Sequence, residues 1–370
     1  MKKNILVINT GEDIIPLFDF FDELTSDEFD FFFMESGVKA LQKIKERNWQ
    51  YKKIKKRNKF NLFLFLLFWP INFLIWLIKL LYFKYKKNIQ YLVLINKYEK
   101  LTVTPAAKVL KIKIIWLETP GEKFKDSGKL NINLFRLISR WVVIVTLNGF
   151  SKQKLEKLKF KNVFNMKLGI KLSNHARQDN IFNNIAKRGQ SRVNNKFFTV
   201  GTTLIMDDLQ KIEAMFQAMK KCISIIPQLQ FIVIGDGEKR KNFLWLAKRM
   251  EINNFSWFVG HQECLKKWLD GFDVFCCADD HLNLNNLSAI IQALVSGLPV
   301  VGPNNIGLEE IFYNKNQILT VKPENAEDLA QEIIRVYKNR YLYKKMTKNQ
   351  EIYSLFSVER MVKEFKDILI

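Results

Sequence analysis

The sequence predicts an α/β protein built as two doubly wound parallel-sheet domains in tandem. Short β-branched and aromatic runs alternate with amphipathic stretches along most of the 370 residues, a pattern that implies right-handed βαβ units and parallel sheets. The alternation stops over a polar, Asn-rich stretch at 174–195 and then restarts. The length also exceeds what one hydrophobic core usually serves. With 48% apolar and 26% charged residues, 15 Gly and 8 Pro, disordered and collagen-like chains are excluded.

In the first domain, residues 1–173, the stretches 4–9, 30–34, 90–95, 112–117, 141–146 and 163–167 read as strands. Each is a short β-branched or aromatic run bounded by polar residues. Between them, 37–48, 100–110, 131–140 and 151–158 carry helical periodicity, the last with Ser151 as its cap. The opening MKKNILVIN resembles a signal peptide, but its apolar run soon meets Glu12 and Asp13, so it reads as a first strand. Residues 174–195 form the linker. In the second domain, 196–350, strands are expected at 197–200, 230–234, 256–259, 273–276 and 299–302. Helices are expected at 208–226, 238–250, 263–271, 287–296, from Leu308, and at 325–339. A last helix at 358–368, within 351–370, is expected to pack back on the first domain.

Charge is unevenly placed. Residues 1–195 hold 37 Lys and Arg against 16 Asp and Glu, and residues 196–370 hold 22 against 21, so the first half carries nearly all of the net +22. A basic half joined to a neutral one points to an anionic partner for the first domain. From 62 to 78 the chain reads LFLFLLFWPINFLIWLI, with Lys52, Lys53, Lys55, Lys56, Arg57 and Lys59 ahead and Lys84, Lys86 and Lys87 behind. A spanning helix needs about 20 apolar residues. Cations on both flanks give no orientation bias, and Pro70 would kink a helix near its middle. The insert at 60–83 is therefore expected to be a helical hairpin or kinked helix lying in one leaflet, its lysines at an anionic membrane surface. A true span and a soluble core helix pair are the alternatives. The expected location is cytoplasmic, peripheral or monotopic at the inner face of the membrane. Nucleic acid is not an expected partner, because the lysines flank an apolar block and no standard motif is present.

Cys222, Cys264, Cys276 and Cys277 show no C-x-x-C spacing and no nearby His. They read as buried apolar side chains in a reducing compartment, with no metal site or disulfide scaffold expected. His175, His261 and His281 have no partner at a recognisable spacing, and no Ser/His/Asp or Cys/His arrangement is evident.

The second domain carries six motifs in order: Val200-Gly201, FIVIGDG at 231–237, Phe258-Val259-Gly260, Asp273-Val274-Phe275, QALVSGLPVV at 292–301, and GLEEI at 307–311. In this order they resemble the donor-binding domain of the GT-B glycosyltransferases, specifically glycosyltransferase family 4 (group 1). The resemblance implies two Rossmann-like domains facing across a cleft, with the more variable first domain on the acceptor side. It also implies transfer from a nucleotide-sugar donor, retaining and without a required metal or other cofactor. Physically, Gly235 and Gly237 let a strand turn tightly at its carboxyl end and Asp236 can bond that turn; taken alone, Gly-Asp-Gly reads as an ordinary turn. Free N–H groups around Leu287 and Ser288 at a helix start would suit a diphosphate. Glu310 could accept from ribose hydroxyls or stay a solvated helix residue.

Some positions depart from the family. Its E-x7-E pair falls on Leu284 and Gln292, leaving an amide to bond a ribose or take part in transfer. Thr202 stands where the family has Arg after Gly201, and Lys211 is the nearest cation for the diphosphate. In the first domain Glu118, ending a strand in WLETPG, could orient or deprotonate an acceptor hydroxyl, or serve as a loop carboxylate. The expected function is transfer of a sugar to a lipid-linked or surface-polysaccharide acceptor. The alternative is a degenerate protein of this fold that binds a nucleotide sugar or a partner without transfer.

Overall fold

The structure, a computed structural model, describes residues 2–11, 13–55, 62–121, 128–171, 197–279, 282–304, 308, 318–346 and 350–369. At 26–27, 62–67, 128–131, 211, 344–346 and 350–351 it describes the backbone alone. Two compact units result: Met1–Lys171 with Phe356–Ile370, and Leu172–Leu355. The stretch 174–195 lies outside the described residues.

The first unit is a seven-stranded parallel sheet. Its strands are β1 (Lys3–Asn9), β2 (Phe29–Glu35), β3 (Gln50–Lys53), β4 (Ile89–Leu94), β5 (Lys113–Glu118), β6 (Val143–Thr146) and β7 (Val163–Asn165), in the order β3-β2-β1-β4-β5-β6-β7. The central strands are nearly continuous apolar runs because helices cover both faces. Alternation along β2 divides the core. Phe32 and Met34 join Trp76, Leu80, Phe83, Leu101 and Phe135 on one face, while Phe31 and Phe33 meet Phe21 and Trp49 on the other. Phe365, from the helix Val358–Leu369, closes that second cluster against Phe20 at 5.3 Å. The same segment is tied in by backbone: Ile170 N–H donates to Phe356 O at 2.8 Å, and Arg360 reaches Lys167 O at 3.0 Å.

Several expectations are corrected. Of the two forms expected for the apolar insert, the hairpin is replaced by a single helix, Leu62–Lys87, with Pro70 inside it, and it is not a helix pair. Its buried side recurs at Trp76, Leu80 and Phe83 and packs on the helix Lys97–Val109; that continuous seam keeps it one element. Among the described residues no helix is long and apolar enough to cross a membrane. Asn148, not Ser151, caps the helix Gly149–Lys157: its Oδ1 accepts from Ser151 N–H at 2.7 Å. The strand β3 and the helix Phe18–Asp27 were not expected.

The second unit is a six-stranded parallel sheet of β8 (Phe198–Thr203), β9 (Leu229–Ile234), β10 (Ser256–Gly260), β11 (Val274–Cys276), β12 (Val300–Pro303) and β13 (Ile318–Val321). The order is β10-β9-β8-β11-β12-β13. Phe198, Val200, Phe231, Val233, Val274 and Cys276 face the helices Gln210–Ile223 and Ala326–Lys338 to form its main core. The helix expected from 287 starts at Leu284, because the Asn283 side chain accepts from Asn286 N–H at 2.9 Å and caps it there.

Candidate functional site

Doubly wound sheets bind ligands at the carboxyl ends of their strands, where the strand order reverses. In the second unit that point lies between β8 and β11. Three loops are laced together beside it. Leu204 N–H donates to Ile234 O, Met206 N–H to Asp236 O, Lys239 N–H to Met206 O and Gly235 N–H to Gly260 O. Gly235 makes this possible: its φ is +139°, and a Cβ there would lie 1.8 Å from Leu204 O. Asp236 bonds the turn, accepting from Gly237 N–H at 2.9 Å, and faces Arg240 at 3.7 Å. Gly201 has a packing role of its own, since a Cβ would meet the Phe272 ring at 1.9 Å.

Across the switch point, Asp279 follows β11 and accepts from Asn286 Nδ2 at 3.3 Å, which fixes the first turn of the helix Leu284–Val295. Leu284, Ser288 and Gln292 share one face of that helix at i, i+4 and i+8. Leu284 is buried, and Gln292 Nε2 donates to Ser288 Oγ at 3.2 Å. Leu287 N–H is taken by Asn283 O at 2.9 Å, so the helix start, not Leu287, presents the outer N–H groups. Thr202 is fully buried and its Oγ1 has no hydrogen-bond partner among the described residues. Further along the same edge a cavity of about 190 Å³ opens between Asp208, Gln210, Cys277, Pro303, Lys322 and Asn325. The Lys211 side chain, Gly307 and Glu310 lie outside the described residues.

The carboxyl edge of the first sheet is a row of buried polar groups that sequence reasoning largely missed. Glu35, ending β2, accepts from Ser36 N–H (2.8 Å), Gly37 N–H (2.7 Å) and Asn9 Nδ2 (2.8 Å). Burial pushes its carboxyl up to about 7, against the pull of those three bonds. Thr10 Oγ1 donates to Glu99 at 2.7 Å, and Thr10 N–H to Asn96 Oδ1 at 2.9 Å. Glu118, ending β5, is 2% exposed and accepts from Lys100 Nζ at 2.8 Å, with Lys100 itself fully buried. The one available signal was Glu99-Lys100 directly ahead of the run LTVTPAA at 101–107 in the helix Lys97–Val109.

Residues 183–352 match the family model of the glycosyl transferases group 1. The match falls within the second unit, which is similar to the group 1 glycosyl transferases over those residues. Within the matched residues fall the laced loops, the Asn283-capped helix and the cavity. Over 156 residues the chain is 24% identical to the lipopolysaccharide core biosynthesis glycosyltransferase LpsE of Rhizobium meliloti, covering 42% of this chain and 45% of that one. Among solved structures, a glycosyltransferase of Rickettsia africae superposes with a TM-score of 0.77 at 14% identity, covering 100% of this chain and 99% of the other. HepE of Anabaena in complex with UDP gives 0.77 at 12% identity, with the same coverage. The two parallel-sheet units are thus those of the GT-B fold. The chain spans less than half the length of the curated relatives it matches first.

Proposed function

We propose that the protein is a glycosyltransferase that moves a sugar from a nucleotide-sugar donor to a membrane-associated or surface-polysaccharide acceptor. The observation that carries this reading is the group 1 domain match over residues 183–352. The UDP held by HepE supports a nucleotide sugar as donor, and the LpsE name supports a glycoconjugate acceptor at the cell envelope. In this reading the donor lies along the carboxyl edge of the second sheet. Gly201, Gly235, Asp236 and Gly237 shape its floor, the start of the helix Leu284–Val295 takes the diphosphate, and Lys211 flanks it, with Thr202 buried behind. Gln292 and Glu310 accept or donate at the ribose. Glu118 orients the acceptor hydroxyl, transfer proceeds with retention, and no metal or further cofactor takes part. The protein works at the cytoplasmic face of the membrane.

Buried Leu284 and Thr202, together with the Gln292–Ser288 bond, favour a second reading, in which the domain binds a nucleotide sugar without transferring it. Release of nucleotide from a panel of UDP- and GDP-sugars with membrane extract separates the two. Release that falls in Gln292→Ala and Glu118→Gln supports transfer. Binding with no release from any donor leaves the second reading, and Gln292→Glu is then expected to restore release.

A further inference from the structure

We infer that the outward face of the helix Leu62–Lys87 is a docking surface for an anionic lipid bilayer, on which the helix lies flat. This rests on the functional reading above only for the kind of acceptor it would serve. Apart from Trp69, which is exposed on the other side of the helix next to Pro70, the exposed apolar residues are Phe68, Ile71, Leu74, Ile75, Ile78, Tyr82 and Tyr85. At 100° per residue they fill one arc of about 120°, the width of an amphipathic helix's apolar face. The opposite arc, with Trp76, Leu80 and Phe83, is spent on the protein's own core. Lys79 and Lys86 border the exposed arc, held over the Trp76 and Tyr82 rings at 4.7 and 5.3 Å.

Charge selects the occupant. Between Glu46 and Glu99 the sequence has twelve Lys and Arg and no Asp or Glu. The spacing of residues 68, 71, 75, 78, 82 and 85 would also suit a seam between two copies. A second copy, however, would bring the Lys79 and Lys86 rows together with no acidic side chain in the segment to pair them. A surface of anionic headgroups answers both the apolar arc and its cations.

The helix also points this surface at the substrate edge. Its 26 residues make about 39 Å at 1.5 Å each, against about 20 Å for the six-residue strand β4. The helix ends at Lys87, beside the start of β4, so its first turns run on past the carboxyl edge of the first sheet. Asn72, which accepts from Tyr98 OH at 3.2 Å, marks the level of that edge, because Tyr98 opens the helix that follows β4. An acceptor standing out of the bilayer would therefore be met at the polar row of Glu35, Thr10 and Glu118.

The test is co-sedimentation of the full chain with vesicles of phosphatidylcholine alone or with 30% phosphatidylglycerol, alongside UDP binding by calorimetry. The expected result is binding to the anionic vesicles only, weakened at least tenfold in Ile75→Ser/Ile78→Ser and in Lys79→Gln/Lys86→Gln. UDP affinity should be unchanged in both variants. The inference is overturned if the wild type ignores anionic vesicles at low salt, or if both variants bind them as well as the wild type does. It is equally overturned if sedimentation velocity shows a dimer that Ile75→Ser/Ile78→Ser dissociates. A wild type that binds vesicles but no nucleotide would instead remove the functional reading and leave the docking surface standing.

Discussion

Replacing Lys100 by Met tests whether the buried pair at the carboxyl edge of the first sheet is held by charge. Lys100 is fully buried and Glu118 nearly so, with 2.8 Å between Nζ and Oε1. Burying two charges is offset only while they face each other. Removing one leaves an uncompensated carboxylate and costs about 3–5 kcal/mol, whereas replacing both by apolar groups of similar volume is often neutral or stabilising. At about 2–4 °C per kcal/mol for a unit of this size, Lys100→Met should lower the Tm of the first unit by about 6–20 °C. The double variant Lys100→Met/Glu118→Leu should recover most of that loss. Scanning calorimetry, with urea unfolding as a second probe, reads both. A single variant that loses under about 1 kcal/mol, or a double variant no better than the single, refutes the argument.

Three further outcomes are expected. Glu35 has a carboxyl raised to about 7 in the folded state against 4.5 when unfolded. The folded protein therefore holds its proton longer, and stability falls as pH rises through that window, by about 3 kcal/mol for the full shift. Glu35→Gln should flatten the slope, and equal slopes in urea titrations at pH 5 and 8 would rule this out. Thr202→Val removes a buried hydroxyl without a partner and should be neutral or stabilising by about 1 kcal/mol, with UDP affinity unchanged; a tenfold loss of affinity would instead show that the hydroxyl meets the donor. Burial pushes the Cys222 thiol up to about 12 and Cys276 well above its usual range, and Cys277 is also buried. A thiol reagent at pH 8 should label one cysteine, Cys264, in the native protein and four after denaturation. More than one native thiol would contradict the burial.

Most of the fold could be read ahead because parallel strands covered on both faces are apolar throughout, as ILVIN in β1 and FIVI in β9 show. Of the two strands that escaped, β13 carries that mark over only four residues, Ile-Leu-Thr-Val, and β3 lacks it. All four residues of β3, Gln-Tyr-Lys-Lys, are exposed at the sheet edge, so its sequence records only solvent. The helix Phe18–Asp27 hid in a Phe- and Asp-rich run whose three-residue spacing at Phe18, Phe21 and Leu24 is overlaid by Phe20. At the second unit's edge, Gly235-Asp236-Gly237 was legible because backbone approach of that closeness admits only glycine. Lys100 and Glu118 were not paired in advance. Eighteen residues separate them, and only the seating of the helix Lys97–Val109 over β5 brings them together. Likewise, the capping reach of Asn283 depends on the chain's path and not on residue type alone.

The first unit is discontinuous in sequence, and that has a consequence for synthesis. Its aromatic face at Phe20 and Phe29 stays open until Phe365 arrives from the far end of the chain, while the second unit is one uninterrupted stretch. On the ribosome the usual order, N-terminal domain first, is thus inverted. The unit made first is completed only after residues 172–355 have been synthesised. Any ribosome stall or nonsense codon between codons 356 and 365 would leave the first unit unsealed and aggregation-prone.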